Sequence, residues 1–314
     1  MSKMIATREA YGVALKELGE RNKDVVVLDA DLSKSTKTNV FGKAIPDRFI
    51  NVGIAEQNLM GVAAGLAAAG KIPFASTFAM FAAGRAFEQV RNSICYPRLN
   101  VKIAATHAGI TVGEDGATHQ ALEDLCLMRS LPNMTVIVPA DAAETRRVVD
   151  FAAEYDGPVY IRLGRAGVPE LFGESYEFQL GKAVQLADGK DVTIIACGLM
   201  VSPARTAAEW LIEAGYSARV LNMATIKPLD IESIVAAVRD TGAVVTCEEH
   251  SIIGGLGGAV AEAMAEHAPA PLERVGVKDT FGESGTPAAL LQKYHLTVDD
   301  IVAAVKRAVI RKKG

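Results

Sequence analysis

The sequence predicts an α/β protein of two domains, each a mostly parallel sheet flanked by helices. Three observations predict it. Short β-branched runs alternate with Ala-rich helical stretches along the chain. The strand runs are continuously apolar rather than alternating, the pattern of a parallel sheet covered on both faces. The alternation also breaks once, in the Gly- and Pro-punctuated stretch Gly164–Asp191, and then begins again.

The first series places strands at Val25–Leu28, Phe49–Val52, a run ending at Phe74, Val101–Thr106, Thr135–Val138 and Pro158–Leu163. Helices are expected over Glu56–Ala69, Arg85–Ile94 and Ala142–Tyr155. The second series has strands at Asp191–Ala196, Ala218–Leu221, Ala243–Thr246 and Glu273–Val277, with helices over Pro203–Ala214, Asp230–Asp240 and Gly258–Glu266. The expected division is a first domain over 1–170, a linker over 171–190 and a second domain over 191–314. Three helix starts are readable: Asp141 with Glu144 three residues on, Ser202 before Pro203, and Asp230 before Ile231.

Composition narrows the function classes. The chain has 314 residues, long enough to bury a core without staples. Half of them are hydrophobic and 22% are charged, which excludes global disorder. Thirty-three basic against 37 acidic residues leave a formal charge of −4, so nucleic acid and anionic membrane are not expected as partners. The four cysteines, Cys95, Cys126, Cys197 and Cys247, form no CxxC pair and suit a reduced, cytoplasmic protein better than a disulfide framework or zinc site. The N-terminus has no apolar signal core, and Lys71 and Pro73 break the Gly61–Gly84 stretch short of the ~20 strongly apolar residues of a spanning helix.

Ligands of open parallel sheets gather beyond the carboxyl ends of the strands. Three segments there carry chemistry. In Asn51–Asn58 a strand ends, Gly53 turns the chain and Glu56 opens a helix with no further charge up to Ala69. A helix apolar all round is expected to be buried, and Glu56 partly with it. A buried carboxylate needs a partner, or its pKa rises. The second segment, Ser76–Phe81, starts past the strand at Phe74 and offers Phe78 and Phe81 as core packing or as a slot for a flat ring. The third, Thr106–Gln120, holds His107 and His119, the acidic pair Glu114–Asp115 and three glycines, and matches no zinc or calcium spacing. Two further segments are weaker. Gly254–Gly258 fits neither phosphate-loop pattern and reads as close strand–helix packing, and Glu248–His250 reads equally as a catalytic group or a solvated strand end.

Together these segments resemble the C-terminal two-thirds of transketolase, over essentially the whole chain. The most specific motif is HxGIxxGEDGxTHQ at His107–Gln120, followed by GIAEQN at Gly53–Asn58 and STFxMF at Ser76–Phe81. The resemblance implies a pyrimidine-binding domain followed by a transketolase C-terminal domain, and dependence on thiamine diphosphate. It implies that Glu56 bonds the aminopyrimidine N1′ and activates the cofactor, that Phe78 and Phe81 line the ring pocket, and that Asp31 lies near the cofactor at a subunit interface. His107 and His119 would move protons near the reacting carbons, Asp115 would read a substrate hydroxyl, and Arg8, Ser35, His107 and Arg165 would clamp a sugar phosphate.

Two departures bear on this resemblance. A third pocket aromatic of transketolases falls at Gly84 here, and the GDG…N segment that holds the diphosphate and its metal there is absent. No metal ligand is therefore expected in this chain. The expectation is a split transketolase: an N-terminal subunit holds the diphosphate and Mg²⁺ (or Ca²⁺), and two copies of each chain form a heterotetramer. The rivals are half of a deoxyxylulose-phosphate synthase, the β subunit of a 2-oxoacid dehydrogenase E1, and a non-catalytic assembly subunit.

Overall fold

The computed structural model describes residues 4–313. In chain order its strands are Met4–Ala6 (β1), Val25–Asp29 (β2), Phe49–Asn51 (β3), Ile72–Phe78 (β4), Lys102–Thr106 (β5), Thr135–Ile137 (β6) and Val159–Arg162 (β7). There follow Gly167–Pro169 (β8), Val184–Ala187 (β9), Val192–Ala196 (β10), Ala218–Asn222 (β11), Thr225–Lys227 (β12), Val244–Ser251 (β13) and Leu272–Val277 (β14). One sheet runs β12-β6-β7-β5-β4-β2-β3, a second β14-β13-β10-β11-β9, and β1 pairs with β8. Within the first sheet only β12 is antiparallel, and within the second only β9.

The apolar runs do what continuous burial requires. Every residue of β2, β5 and β10 is buried. Helices on one face of the first sheet pack Leu59, Met60 and Ala63 over Leu28, Ala75 and Ile103, and that core continues to Leu221 and Val244 of the second sheet. On the other face Tyr11, Leu15 and Val148 cover Val27, Phe74 and Ile161.

Four short strands, β1, β8, β9 and β12, lie where periodicity did not place them. Residues 184–187, inside the stretch read as a linker, form the edge strand β9 of the second sheet. Residues 225–227 follow β11 of the second sheet, yet extend the first one as β12. Strand β4 also runs on to Phe78 rather than ending at Phe74, so Ser76 and Thr77 are buried strand residues.

Asp141 accepts the Glu144 N–H at 2.8 Å and Asp230 accepts that of Ser233 at 3.1 Å, as their caps predict. Ser202 does not cap. A turn over Gly198–Met200, entered at Gly198 with φ +55°, starts the helix at Val201 and leaves Ser202 inside its first turn. The stretch expected as the helix Arg85–Ile94 is two π-helical turns, Met80–Arg85 and Val90–Cys95, around one short α turn. The helix Glu56–Ala68 is not buried all round. It packs Leu59, Met60, Ala63 and Ala64 inward, while Gly61, Gly65 and Ala68 are left uncovered. No membrane-crossing helix, long and apolar enough, occurs among the described residues.

Glu144 joins the two halves. Its carboxylate accepts from Ala140 N at 2.7 Å, from the Tyr176 hydroxyl at 2.5 Å and from Asn222 Nδ2 at 2.9 Å. Burial pushes its pKa up to about 7, and these donors offset that only in part. The folded chain therefore holds this proton more tightly than the unfolded one. The stability it contributes is complete below pH about 4.5 and is lost as pH rises through about 7. Relative to Glu144→Gln, wild type should lose on the order of 3 kcal/mol over that window. Urea unfolding of both proteins across that window checks this; parallel stability curves would refute it.

Candidate functional site

The carboxyl ends of β2, β4 and β5 open onto one mouth. Asp29, fully buried at the end of β2, accepts from Leu32 N at 2.6 Å and from the hydroxyls of Thr36 and Thr38 at 2.7 and 2.8 Å. Burial raises its pKa although these donors oppose it. No sequence signal singled out Asp29, yet it shapes the turn that carries Asp31 and Ser35. Ser35 presents its carbonyl, which accepts from Arg8 Nη1 at 2.9 Å.

The same Arg8 nitrogen faces His107 Nε2 at 3.1 Å, and His107 Nδ1 lies 2.9 Å from the Thr106 hydroxyl. His107 sits at φ +57° and stacks on Phe78 with ring centroids 3.8 Å apart. Burial, and then the charges of Arg8 and Arg165, press its pKa down to about 3. The ring is therefore neutral. Arginine can only donate, so Nε2 is the acceptor and Nδ1 carries the proton toward Thr106.

Phe78 closes β4 and Phe81 follows in the π turn, the two rings stacked at 5.7 Å and 11°. They meet across a strand end rather than along one helix face. His119 stands edge-on to Phe81 at 5.4 Å. The opposite contact is Arg85, whose guanidinium lies 4.6 Å from the Phe81 ring centre and pairs with Glu56 Oε1 at 2.8 Å. Glu56 is 4% exposed at the head of its helix, and Arg85 is the partner its burial demanded. Arg85, expected only as the start of a helix, is the one cation between Lys71 and Arg91, and that was the signal available for it.

Arg165 donates to the Val112 carbonyl and lies 3.3 Å from Glu114 and 3.8 Å from Asp115. The structure thus brings Arg8, Ser35, His107, Phe78, Phe81 and His119 into one chain of contacts, with Glu56 joined through Arg85. Asp115 meets Arg165 on the same histidine loop. Asp31 stands apart from these contacts, at φ +64°, receiving Asn51 Nδ2 at 2.9 Å. An open cavity of about 560 Å³ lies between Met80, Phe81, Arg85, Ala117 and Thr118, with Phe281 of the second domain on its rim. Nothing in the sequence marked Phe281 for this position. Among the described residues no group of three His, Cys, Asp or Glu side chains could hold a metal ion.

Two weaker readings are settled by burial. Glu248, Glu249 and His250 are not a solvated strand end but are 0%, 4% and 0% exposed between the domains. The Gly254–Gly258 run is close packing. A Cβ at Gly255 would lie 2.0 Å from Glu248 Oε2, and the N–H groups of Leu256 and Gly257 at this helix start are already taken by the Glu248 carboxylate at 2.7 and 2.8 Å.

A parallel-sheet domain with a carboxylate-headed helix, a paired-phenylalanine wall and a His–Asp loop, followed by a second α/β domain, defines the pyrimidine-side half of a thiamine-diphosphate enzyme. Residues 3–170 match the transketolase pyrimidine-binding domain and residues 181–301 the transketolase C-terminal domain. The chain belongs to the transketolase family, and it corresponds to the C-terminal subunit of the split kind. A 6-deoxy-6-sulfo-D-fructose transketolase subunit of Clostridium sp. (strain MSTE9) is 46% identical over 97% of this chain and 95% of its own. A subunit of the apulose-4-phosphate transketolase of Phocaeicola vulgatus is 41% identical over 95% of this chain and 96% of its own. A solved structure described as a split gene transketolase, an inactive β4 tetramer, superposes with a TM-score of 0.93 at 65% identity, covering 98% of this chain and 99% of that one. The family depends on thiamine diphosphate, and the chain is part of a transketolase-type enzyme.

Because His107 is held neutral, its ring nitrogens should show one fixed tautomer, protonated at Nδ1, with no titration between pH 5 and 8. Nitrogen-15 NMR of the histidine rings measures this. An inflection near the ordinary imidazole value of about 6.5 would refute the assignment.

Proposed function

We propose that this chain is the C-terminal subunit of a two-subunit transketolase that moves a two-carbon ketol unit from a ketose phosphate to an aldose phosphate, and that it works only with a partner carrying the diphosphate-binding domain. The observation that carries the reading is the convergence, at one mouth, of buried Glu56, the Phe78–Phe81 wall and the Arg8–His107–Arg165 cluster. The partner would hold the diphosphate with Mg²⁺ (or Ca²⁺), and two copies of each chain would form the working heterotetramer in the cytoplasm, serving pentose phosphate metabolism.

The residues present fit one end of thiamine diphosphate. A buried carboxylate whose described partner is a half-exposed arginine, beside a flat apolar wall, suits a heteroaromatic ring with a basic nitrogen. When bound, the cofactor supplies the carbon nucleophile that accepts the ketol unit. Glu56 would hold a proton at N1′ of the aminopyrimidine, and Phe78 and Phe81 would pack the ring and exclude water. A ring reaching Glu56 competes with Arg85 both for the carboxylate and for the face of Phe81.

Arg8 and Arg165 carry planar donor forks suited to phosphate oxygens, and the Ser35 backbone sets the reach of Arg8. Asp115, half-exposed beside Arg165, would accept from a substrate hydroxyl. His107, neutral and protonated at Nδ1, would accept from a substrate hydroxyl at Nε2 in place of Arg8 rather than donate a proton freely. His119 is then the ring left to exchange a proton at the reacting carbons. Asp31, bonded to Asn51 and outside the chain of site contacts, would face the partner subunit near the cofactor.

The test is ketol transfer from xylulose 5-phosphate to ribose 5-phosphate with thiamine diphosphate and Mg²⁺, using this chain alone and with the N-terminal subunit. Activity is expected only in the mixture, and Glu56→Gln should lower it by about 100-fold or more. Turnover by the chain alone, or pyruvate acting as donor, would overturn the reading.

A further inference from the structure

The loop carrying His107, Asp115 and His119 is held from beneath by the second domain. Its neck is closed by a bridge between Ala108 and Ala121, with Gly109 N donating to the Ala121 carbonyl at 3.0 Å. Just past the neck, the Thr111 N–H donates to Glu249 Oε1 at 2.6 Å. Glu249 belongs to β13, 138 residues away in sequence, and is 4% exposed. The contact leaves no room. A Cβ at Gly109 would lie 2.3 Å from the Glu249 carboxyl carbon, and Gly109 itself adopts φ +82°. The far side of the loop is tied by Gln120, whose Nε2 donates to the Ile110 carbonyl at 3.1 Å and to the Glu283 carbonyl of the second domain at 2.9 Å.

We propose that Glu249 is a positioning residue for transketolase chemistry: its carboxylate, delivered by the C-terminal domain, fixes the 109–111 backbone and so sets where His107, Asp115 and His119 stand. This gives the C-terminal domain a task in the site. The inference rests on the proposed function for its kinetic consequence, whereas its structural part stands on the loop contacts alone.

Both parts are tested with the full-length chain. By hydrogen–deuterium exchange, the 107–121 segment should exchange about tenfold faster in Glu249→Ala, the worth of one buried charge-assisted hydrogen bond, while Glu249→Gln, which keeps an acceptor for Thr111, should stay near wild type. In the assembled two-subunit enzyme, Glu249→Ala should raise the donor KM by about tenfold with cofactor affinity unchanged, and Glu249→Gln should restore it. A merely structural role would lower the active fraction and leave the donor KM alone. Unchanged loop exchange, or faster exchange with an unchanged donor KM, overturns the proposal. If Glu249→Ala does not fold, Glu249→Asp, which draws the carboxylate back from Thr111, takes its place: faster loop exchange with a raised donor KM supports the proposal, and unchanged loop exchange overturns it. An inactive wild-type mixture would instead count against the proposed function, and the exchange arm would still decide the positioning of the loop.

Discussion

One buried guanidinium sets the geometry on which the site depends. Arg162, at the end of β7, meets Asp124 through Nε at 2.8 Å and Nη2 at 3.0 Å, and Nη2 also reaches the carbonyls of Ala121 at 3.2 Å and Glu249 at 2.9 Å. The Tyr160 hydroxyl donates to the same Asp124 carboxylate at 2.8 Å. Burial works against both charges, but each holds the other: the Asp124 carboxyl lies below its ordinary value and the Arg162 guanidinium above its own. A buried pair of this kind adds little net stability, yet losing one partner costs about 3–5 kcal/mol. Its consequence here is spatial. Three separate pieces, the end of β7, the neck of the histidine loop and strand β13, must meet at one point because a planar fork can satisfy them in only one arrangement.

From that point outward the polar groups are arranged by what can be satisfied. Glu248 occupies a helix N-terminus that would otherwise attract an anion, which leaves the Gly254–Gly258 run with a packing role. His107 is neutral because burial penalises its charge and the cations of Arg8 and Arg165 oppose it further. Glu56 keeps its buried place at the head of its helix because Arg85 reaches it from the π turn. An extra residue accommodated by a π-helical turn re-aims side chains locally, and here that turn carries both Phe81 and Arg85.

The helix behind Glu56 shows how composition and packing can differ. Its charge-free sequence implied burial on every side, but the small residues Gly61, Gly65 and Ala68 form an uncovered face, and a Cβ at either glycine would meet nothing within 4 Å. Small residues contribute little transfer energy when buried, so a single chain can leave them in water at modest cost. Larger apolar residues, Leu59 and Met60, are the ones driven inward.

Much of this protein was legible locally. The alternating apolar runs located most strands of both sheets within a residue or two, because burial on both faces writes itself into consecutive positions. Asp141 and Asp230 announced their helices, because a cap acts across three residues. The three motif segments carried the family resemblance, because their spacing survives in the linear order. What no local pattern contained was decided by the fold: β12 crossing into the first sheet, Arg85 reaching Glu56, Phe281 reaching the rim of the cavity, and Glu249 meeting Thr111 from the other domain. Those contacts join residues tens to more than a hundred positions apart. The polar ones exist because a buried donor or acceptor must find its complement wherever the packed sheets bring one within reach.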